Sequence, residues 1–299
     1  MPVLVSPMNQ DGSPDEPGFH RLIDHIYTDP EAPIPGLWVL GSTGENFMMS
    51  FDHRVEVTRI VCDKAGGKTA LLVGCGDAVL SEVFRFFEAT AHLAIDGYHC
   101  LPTDRKLSPS ATIAYWTAVA DRSPKPLWLY SNPARALEPD VAAVTYLSQH
   151  PNVVGMKVGG FDLRTIAPIA ALNSAEFQVL GAGGSNHLAY LGLGVTCTTM
   201  STACTLPGEF AAVHTLWSRG DLDGAREQSL RLNAFVKEWP ARRNTEAAAE
   251  EKAILELLGV CQRWVYPPYE PLDDDQMEQM RKILEQHGLV ATTGAPPTV

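Results

Sequence analysis

The sequence predicts an α/β fold, a closed (β/α)8 TIM barrel with a C-terminal helical extension. Short apolar runs that are typical of buried strands recur at fairly even intervals. Stretches with helical spacing lie between most of these runs, and strands that alternate with helices indicate βαβ units and a parallel sheet. Eight such units within 299 residues favour a closed barrel over an open doubly wound sheet.

The predicted elements follow one another along the first two thirds of the chain. The eight strands are residues 2–6, 36–40, 70–74, 97–101, 126–130, 153–157, 177–181 and 195–200. The helices between them are residues 19–27, 54–64, 79–93, 110–120, 140–147, 163–172 and 187–193. Two helices also have typical start residues, since Ser50 precedes the second and Ser108 with Pro109 precedes the fourth.

After Pro207 the pattern becomes purely helical. Four stretches have helical periodicity without a following strand: residues 209–218, 222–239, 245–258 and 275–287. We therefore divide the chain into a barrel at residues 1–206 and a helical extension at residues 207–299 that packs on it. The tail at residues 292–299 is rich in Thr, Gly and Pro and is expected to fray.

Composition and charge narrow the classes of partner. A net charge of −12 argues against nucleic acid and anionic membrane surfaces, while an anionic small substrate stays compatible. Neither a leader peptide nor an apolar run of about 18 residues is present, so secretion and membrane insertion are not expected. The six cysteines form no CxxC pair, which favours reduced thiols and a cytoplasmic location.

Polar residues of complementary chemistry follow three of the predicted strands. Residues 41–45 (Gly-Ser-Thr-Gly-Glu) follow the second strand, Tyr130 ends the fifth and Lys157 ends the sixth. In barrels of this type the functional residues lie at the C-terminal ends of the strands and in the loops that follow. These residues are therefore expected to meet at one end of the barrel.

Lys157 is the residue on which the functional prediction depends. Lysine is almost never fully buried unless it is paired. Desolvation disfavours the ammonium form and lowers the pKa, which leaves a share of neutral amine that can attack carbonyl carbon. The alternative is an ordinary strand-end lysine whose head group extends to solvent. The polar residues on neighbouring strand ends favour the catalytic interpretation.

With these residues, the chain resembles the dihydrodipicolinate synthase / N-acetylneuraminate lyase superfamily of Schiff-base (β/α)8 enzymes. The resemblance is collinear over nearly the whole chain, and each motif is modest alone but specific in this order. The segments concerned are residues 2–8, 41–45, 130–133 (Tyr-x-x-Pro), 155–157 (Gly-Met-Lys), 252–259 and 267–272.

The resemblance implies roles for four residues. Lys157 would condense with the ketone of a 2-oxo acid such as pyruvate, Tyr130 would shuttle protons, and Ser42 and Thr43 would hold the substrate carboxylate. It implies no cofactor, and no residue pattern in the sequence suggests a metal site. It also implies a homo-oligomer, a tetramer or a dimer.

The sequence departs from the dihydrodipicolinate synthases after the fourth predicted strand. Those enzymes usually have a tyrosine pair there that takes part in a proton relay, whereas residues 101–106 contain no tyrosine. The second relay group is then either missing or replaced by Thr103 or Asp104. The order Tyr130-Ser131-Asn132-Pro133 is closer to hydratase-aldolases and related lyases of the superfamily.

Two further residues are candidate substrate ligands. Arg135 stands where the synthases have an arginine for a second carboxylate, and a guanidinium suits bidentate carboxylate binding. The alternative is a solvated loop arginine. Gly181 begins a Gly-Ala-Gly-Gly run after the seventh predicted strand, which indicates either close approach of the backbone to the substrate or a tight strand–helix turn.

The sequence therefore predicts a lyase or class I aldolase that cleaves or forms a C–C bond next to a 2-oxo acid through Lys157. Its expected small-molecule partners are the 2-oxo acid and an aldehyde. Three alternatives stay open: a 2-oxo sugar-acid dehydratase or hydratase-aldolase, 4-hydroxy-tetrahydrodipicolinate synthase, and a non-catalytic protein that binds a 2-oxo acid. Neither the aldehyde nor the direction of the reaction follows from the sequence.

Overall fold

The computed structural model describes residues 1–104, 106–159, 162–240 and 248–290. Seven parallel strands form one sheet whose spatial order is the chain order. The strands are β1 (Gly36–Val39), β2 (Ala70–Gly74), β3 (Gly97–Cys100), β4 (Leu127–Tyr130), β5 (Val153–Val158), β6 (Gln178–Ala182) and β7 (Cys197–Thr199).

Helices connect the strands and continue after the last one. In chain order they are α1 (Glu16–Ile26), α2 (Phe51–Ala65), α3 (Leu80–Thr90), α4 (Pro109–Arg122), α5 (Val141–Leu147), α6 (Leu163–Ala170), α7 (His187–Gly192), α8 (Pro207–Ser218), α9 (Leu222–Glu238), α10 (Ala249–Leu257) and α11 (Asp274–Gln286). Two short 3-10 turns, Gly184–Asn186 and Thr202–Cys204, precede α7 and α8. None of these helices is both long and apolar enough to cross a membrane.

The N-terminal segment nearly closes the barrel between β7 and β1. Val3 N–H donates to the Met200 carbonyl (3.0 Å), and Leu4 N–H donates to the Trp38 carbonyl (2.9 Å). The predicted strand at residues 2–6 is therefore reduced to isolated parallel bridges. Trp38 N–H also donates to the Pro2 carbonyl (2.9 Å), so the pairing is confined to the first residues of the predicted strand. The predicted (β/α)8 class is confirmed, with seven regular strands and a bridged eighth segment.

The strands form where the chain is apolar on both faces, as expected when a parallel sheet is covered on both sides. All four residues of β4 are buried, for example. The predicted helix starts are also confirmed: Ser50 Oγ accepts from the N–H of His53, and Ser108 Oγ accepts from the N–H of Ala111, both at 3.2 Å. These side chains satisfy backbone donors that the first helical turn leaves unpaired.

Large aromatic side chains fill the barrel interior. Trp38 and Trp128 pack in one cluster with Tyr130. An added Cβ on Gly155 would clash with the Trp128 ring, so a side chain at this position of β5 would displace the ring. The interior is consequently packed, and the functional site lies where the strands end.

The helices α9, α10 and α11 form a second apolar cluster with Phe235, Ile254 and Met280 among its buried members. α8 begins at Pro207 and occupies the place of the helix that completes the last βα unit. The division of the chain at residues 206 and 207 remains a proposal. The expected frayed tail and the start of the helix predicted at 245–258 lie outside the described residues.

Candidate active site

Lys157 lies near the C-terminal end of β5, with only 5% of the residue exposed. It pairs in register with Tyr130, the last residue of β4. The Lys157 Nζ atom is 4.5 Å from the centroid of the Tyr130 ring and 4.9 Å from the centroid of the Trp38 ring. The nitrogen thus lies against two aromatic faces that exclude water and attract a cation.

The Lys157 side chain lines a cavity of about 550 Å³ at the end of the barrel. This volume is within the range of about 300–1,000 Å³ that is typical of small-molecule sites. The cavity lies between the ends of β5, β6 and β7 and the helix α9. Its lining residues are Val3, Thr43, Lys157, Ala182, Gly183, Gly184, Ser185, Thr199, Met200, Ser201, Thr202, Phe210, Asn233, Val236 and Lys237.

A short hydrogen-bonded chain connects Tyr130 to the loop after β1. The Ser42 Oγ and Tyr130 Oη atoms are 3.3 Å apart, and Asn132 Nδ2 donates to Ser42 Oγ at 3.2 Å. Ser42 Oγ therefore accepts from the amide, and either hydroxyl can be the donor between Ser42 and Tyr130. The N–H of Ser131 donates to the Lys157 carbonyl (3.0 Å), which fixes the strand end that follows Tyr130.

The loop at residues 41–45 contacts the C-terminal extension through Glu45. Glu45 has a positive φ of 60°, which is uncommon for a residue with a side chain. Its carboxylate lies 2.8 Å from Lys252 Nζ and accepts the N–H of Tyr266 at 2.6 Å. The loop conformation that presents Ser42 and Thr43 therefore depends on a buried ion pair with α10.

His99 completes the aromatic surroundings of the lysine. Its ring stacks on Trp38, with 3.9 Å between the centroids, and its Nε2 is 2.8 Å from the Val39 carbonyl. Burial holds the pKa of His99 well below its usual range, with the charge of Lys157 as a smaller cause. The ring is neutral at pH 7, and its Nε2–H donates to Val39.

The predicted site residues fall into two groups. Lys157, Tyr130 and Ser42 are brought together, and Thr43 lines the cavity with Lys157, whereas Tyr130 and Ser42 lie beside the lysine without lining this cavity. Arg135 and Gly181 do not line it. The Arg135 guanidinium instead lies 4.5 Å from the centroid of the Phe47 ring and donates to Tyr269 Oη at 3.1 Å.

Gly181 has a packing reason for lacking a side chain. A Cβ on this residue would clash with the ring of Tyr190, whose hydroxyl donates to the Val158 carbonyl at 3.1 Å. The glycine therefore lets α7 pack closely against β6. Its role in substrate binding stays a prediction.

Neither of the residues that could replace the missing tyrosine lines the cavity. Asp104 is exposed, and its carboxylate accepts the N–H of Lys106 at 2.9 Å in a local turn. Among the described residues, no group of three or more His, Cys, Asp or Glu side chains could hold a metal ion.

Sequence reasoning missed three residues near the lysine. Trp38 could have been found from strand alternation, since an inward-facing aromatic on β1 can reach the barrel axis. Asn233 and Lys237 belong to α9, and nothing in the local sequence indicates that this helix borders the cavity.

Comparison with known proteins identifies relatives of this chain by sequence and by structure. The model of the dihydrodipicolinate synthetase family matches residues 1–287. The 4-hydroxy-tetrahydrodipicolinate synthase of Methanospirillum hungatei JF-1 is 28% identical over 293 residues, which cover 96% of this chain and 98% of that protein.

Two solved structures have the same fold. Dihydrodipicolinate synthase from Bacteroides thetaiotaomicron superposes with a TM-score of 0.89 at 21% identity, over 95% of this chain and 97% of that one. N-acetylneuraminate lyase from Mycoplasma synoviae superposes with a TM-score of 0.84 at 20% identity, over 96% of each chain.

Proposed function

Because the chain belongs to the dihydrodipicolinate synthetase family and is thus an enzyme of the lyase type, we propose that it forms or cleaves a C–C bond next to a 2-oxo acid through an imine on Lys157. The observation that supports this most directly is the position of Lys157. A lysine with 5% exposure lies against two aromatic rings and opens into a cavity of about 550 Å³.

The first step would be attack of the neutral Lys157 amine on the ketone carbon of the substrate. The C–N bond forms as the carbonyl π-bond breaks, and the resulting carbinolamine loses its oxygen as water to give an iminium ion. The iminium then accepts the electron pair of the adjacent C–C or C–H bond when that bond breaks. The faces of Trp38 and Tyr130 would stabilise the positive charge of the iminium ion.

Tyr130 is the proposed proton carrier for these steps. Its hydroxyl contacts Ser42, so a proton given up by the phenol can be replaced through the serine hydroxyl. Ser42 and Thr43 are the proposed ligands of the carboxylate next to the ketone, since Thr43 lines the cavity and Ser42 lies beside the phenol.

One observation favours a second reaction on the same iminium, the loss or addition of water at the adjacent carbon. The segment after β3 has no tyrosine, and Asn132 occupies the hydrogen-bonding position next to Ser42. A hydratase-aldolase or dehydratase therefore remains the second candidate.

The synthase activity is supported by the name of a relative with 28% identity over nearly the whole chain. A non-catalytic binder is disfavoured, because it has no need for a buried amine.

We propose a 2-oxo acid and an aldehyde as the small-molecule partners. We also propose a homo-oligomer, a tetramer or a dimer, since closed symmetry is usual for oligomers of one chain. Light scattering of the purified protein measures that state. The six free cysteines support the proposed cytoplasmic location.

Borohydride reduction in the presence of pyruvate tests the imine. We expect a stable pyruvyl adduct that peptide mapping assigns to Lys157 and that is absent from Lys157→Met. Lys282→Met, which removes an exposed lysine of α11, is the matched control and should form the adduct normally. If neither pyruvate nor any longer 2-oxo acid labels Lys157, the imine mechanism is wrong and the binding protein becomes the leading candidate.

A further inference from the structure

The cavity next to Lys157 is much larger than a short 2-oxo acid requires. Its volume of about 550 Å³ extends to a wall formed by Asn233, Val236 and Lys237 of α9. Lys157 contributes from β5 inside the barrel, whereas α9 belongs to the extension and packs on the turn at Gly184–Asn186. A substrate that fills this space reaches from the barrel to the extension.

The charge of the lining is opposite to that of the chain. The cavity has two lysines and no Asp or Glu among its described lining residues, although the net charge of the chain is −12. A cleft with side chains of one sign concentrates ligands of the opposite sign. Lys157 would form the imine, and Ser42 and Thr43 would bind the carboxylate next to the ketone. A 2-oxo monocarboxylate therefore has no further anionic group for Lys237 to bind.

Lys237 and Asn233 lie on one face of α9, because residues four apart on a helix are neighbours. The next residue, Glu238, pairs with His287 (3.0 Å) and so is directed to α11. The Asn233 amide and the lysine ammonium are both hydrogen-bond donors. Together they form a wall suited to a carboxylate or a phosphate.

The arginine expected to bind a second acid group is occupied elsewhere. Arg135 contacts Phe47 and Tyr269 and does not line the cavity. Among the described residues that line the cavity, Lys237 is the cation present besides Lys157, so we assign recognition of a distal acid at this site to Lys237.

We propose that the substrate is a 2-oxo acid with a second anionic group at its far end, and that Lys237 with Asn233 binds this group. The inference rests on the proposed function for the assignment of the ketone to Lys157. It names the class of substrate: a 2-oxo dicarboxylate or a 2-oxo acid with a distal phosphate.

The test compares probes of equal chain length with and without the distal acid: 2-oxoglutarate against 2-oxopentanoate, and 2-oxoadipate against 2-oxohexanoate. Calorimetry measures each Kd, and borohydride trapping reports imine formation on Lys157. We expect at least one diacid to bind about three- to tenfold more tightly than its matched monoacid, as for a partly screened charge-assisted contact. That preference should shrink as NaCl is raised.

Lys237→Met should abolish the preference by weakening the diacid Kd to about that of the matched monoacid, whereas Lys237→Arg should retain most of it. Lys282→Met should change neither Kd. Trapping on Lys157 without any diacid preference, or a preference that survives Lys237→Met, overturns the distal site while the imine mechanism stands. A preference that depends on Lys237 without trapping supports the distal site and refutes the imine. If no probe binds, the distal site is wrong, and the pyruvate trapping described above decides the imine mechanism separately.

Discussion

The ion pair between Glu45 and Lys252 is the contact through which the extension supports the loop of Ser42 and Thr43. Both side chains are 0% exposed, and their charged atoms are 2.8 Å apart. Lys252 Nζ also donates to the Trp264 carbonyl at 2.8 Å. Neither charge can therefore reach water if its partner is removed.

Lys252→Met leaves the Glu45 carboxylate buried without its cation. Breaking a buried pair in this way costs about 3–5 kcal/mol. That is a large part of the roughly 5–15 kcal/mol by which a protein is stable. At about 2–4 °C per kcal/mol, the expected fall in Tm is about 6–20 °C.

The double variant Glu45→Gln/Lys252→Met removes both charges and keeps an acceptor for the Tyr266 N–H. It should recover most of the loss, because a buried pair replaced as a unit is often nearly neutral. Calorimetric Tm values for the two single variants and the double variant form a thermodynamic cycle. Lys282→Met, which breaks an exposed pair with Glu278, should shift Tm by no more than a few degrees.

Loss of the ion pair should also affect the chemistry at Lys157. At a temperature where Lys252→Met is still folded, borohydride trapping of pyruvate on Lys157 should slow, because the loop with Ser42 and Thr43 has lost its support. The argument is refuted if each single variant lowers Tm by less than about 2 °C, or if the loss in the double variant equals the sum of the two single losses.

Two further predictions concern individual side chains. Tyr130→Phe should slow imine formation on Lys157 by about 10²–10⁴-fold, because a proton carrier is lost while the ring against the lysine remains; stopped-flow trapping measures this, and an unchanged rate would contradict the role. Burial, with smaller effects of the N-terminal amine and His214, lowers the pKa of His187 from 6.5 to about 4. The unfolded chain thus binds the proton more readily, so about 3 kcal/mol of stability is lost as the pH falls from 6.5 to 4. His187→Gln should flatten the pH dependence of urea unfolding in that interval, and an equal slope in both proteins would refute the assignment.

The regular part of the fold was predictable because its causes are local. Apolar runs of strand length, helical spacing and cap residues such as Ser50 and Ser108 act within a few positions. Such effects can be read along the chain without knowledge of tertiary contacts. The strand predicted at residues 2–6 was wrong in extent, since its pairing involves the distant residues Trp38 and Met200.

The environment of the site was less predictable because it depends on register and on distant segments. The pairing of Tyr130 with Lys157 follows from strand register, and the contact of Trp38 with the lysine crosses the barrel. The sequence position of Arg135 does not reveal that its guanidinium packs on Phe47. Nor does any local pattern connect Glu45 with Lys252, which lie on opposite sides of the division between barrel and extension.

The two parts of the chain contribute differently to the site. Lys157 and Tyr130, at the ends of barrel strands, would carry out the proposed chemistry. The extension contributes Lys252, which pairs with Glu45 of the loop, and Lys237, which lines the cavity. A substitution in α9 can therefore change which substrate is accepted while leaving the reacting groups in place. A substitution in α10 acts on the loop and so changes stability and chemistry together. This separation is the reason that Lys237→Met and Lys252→Met, both changes of a lysine in the extension, are expected to have different effects.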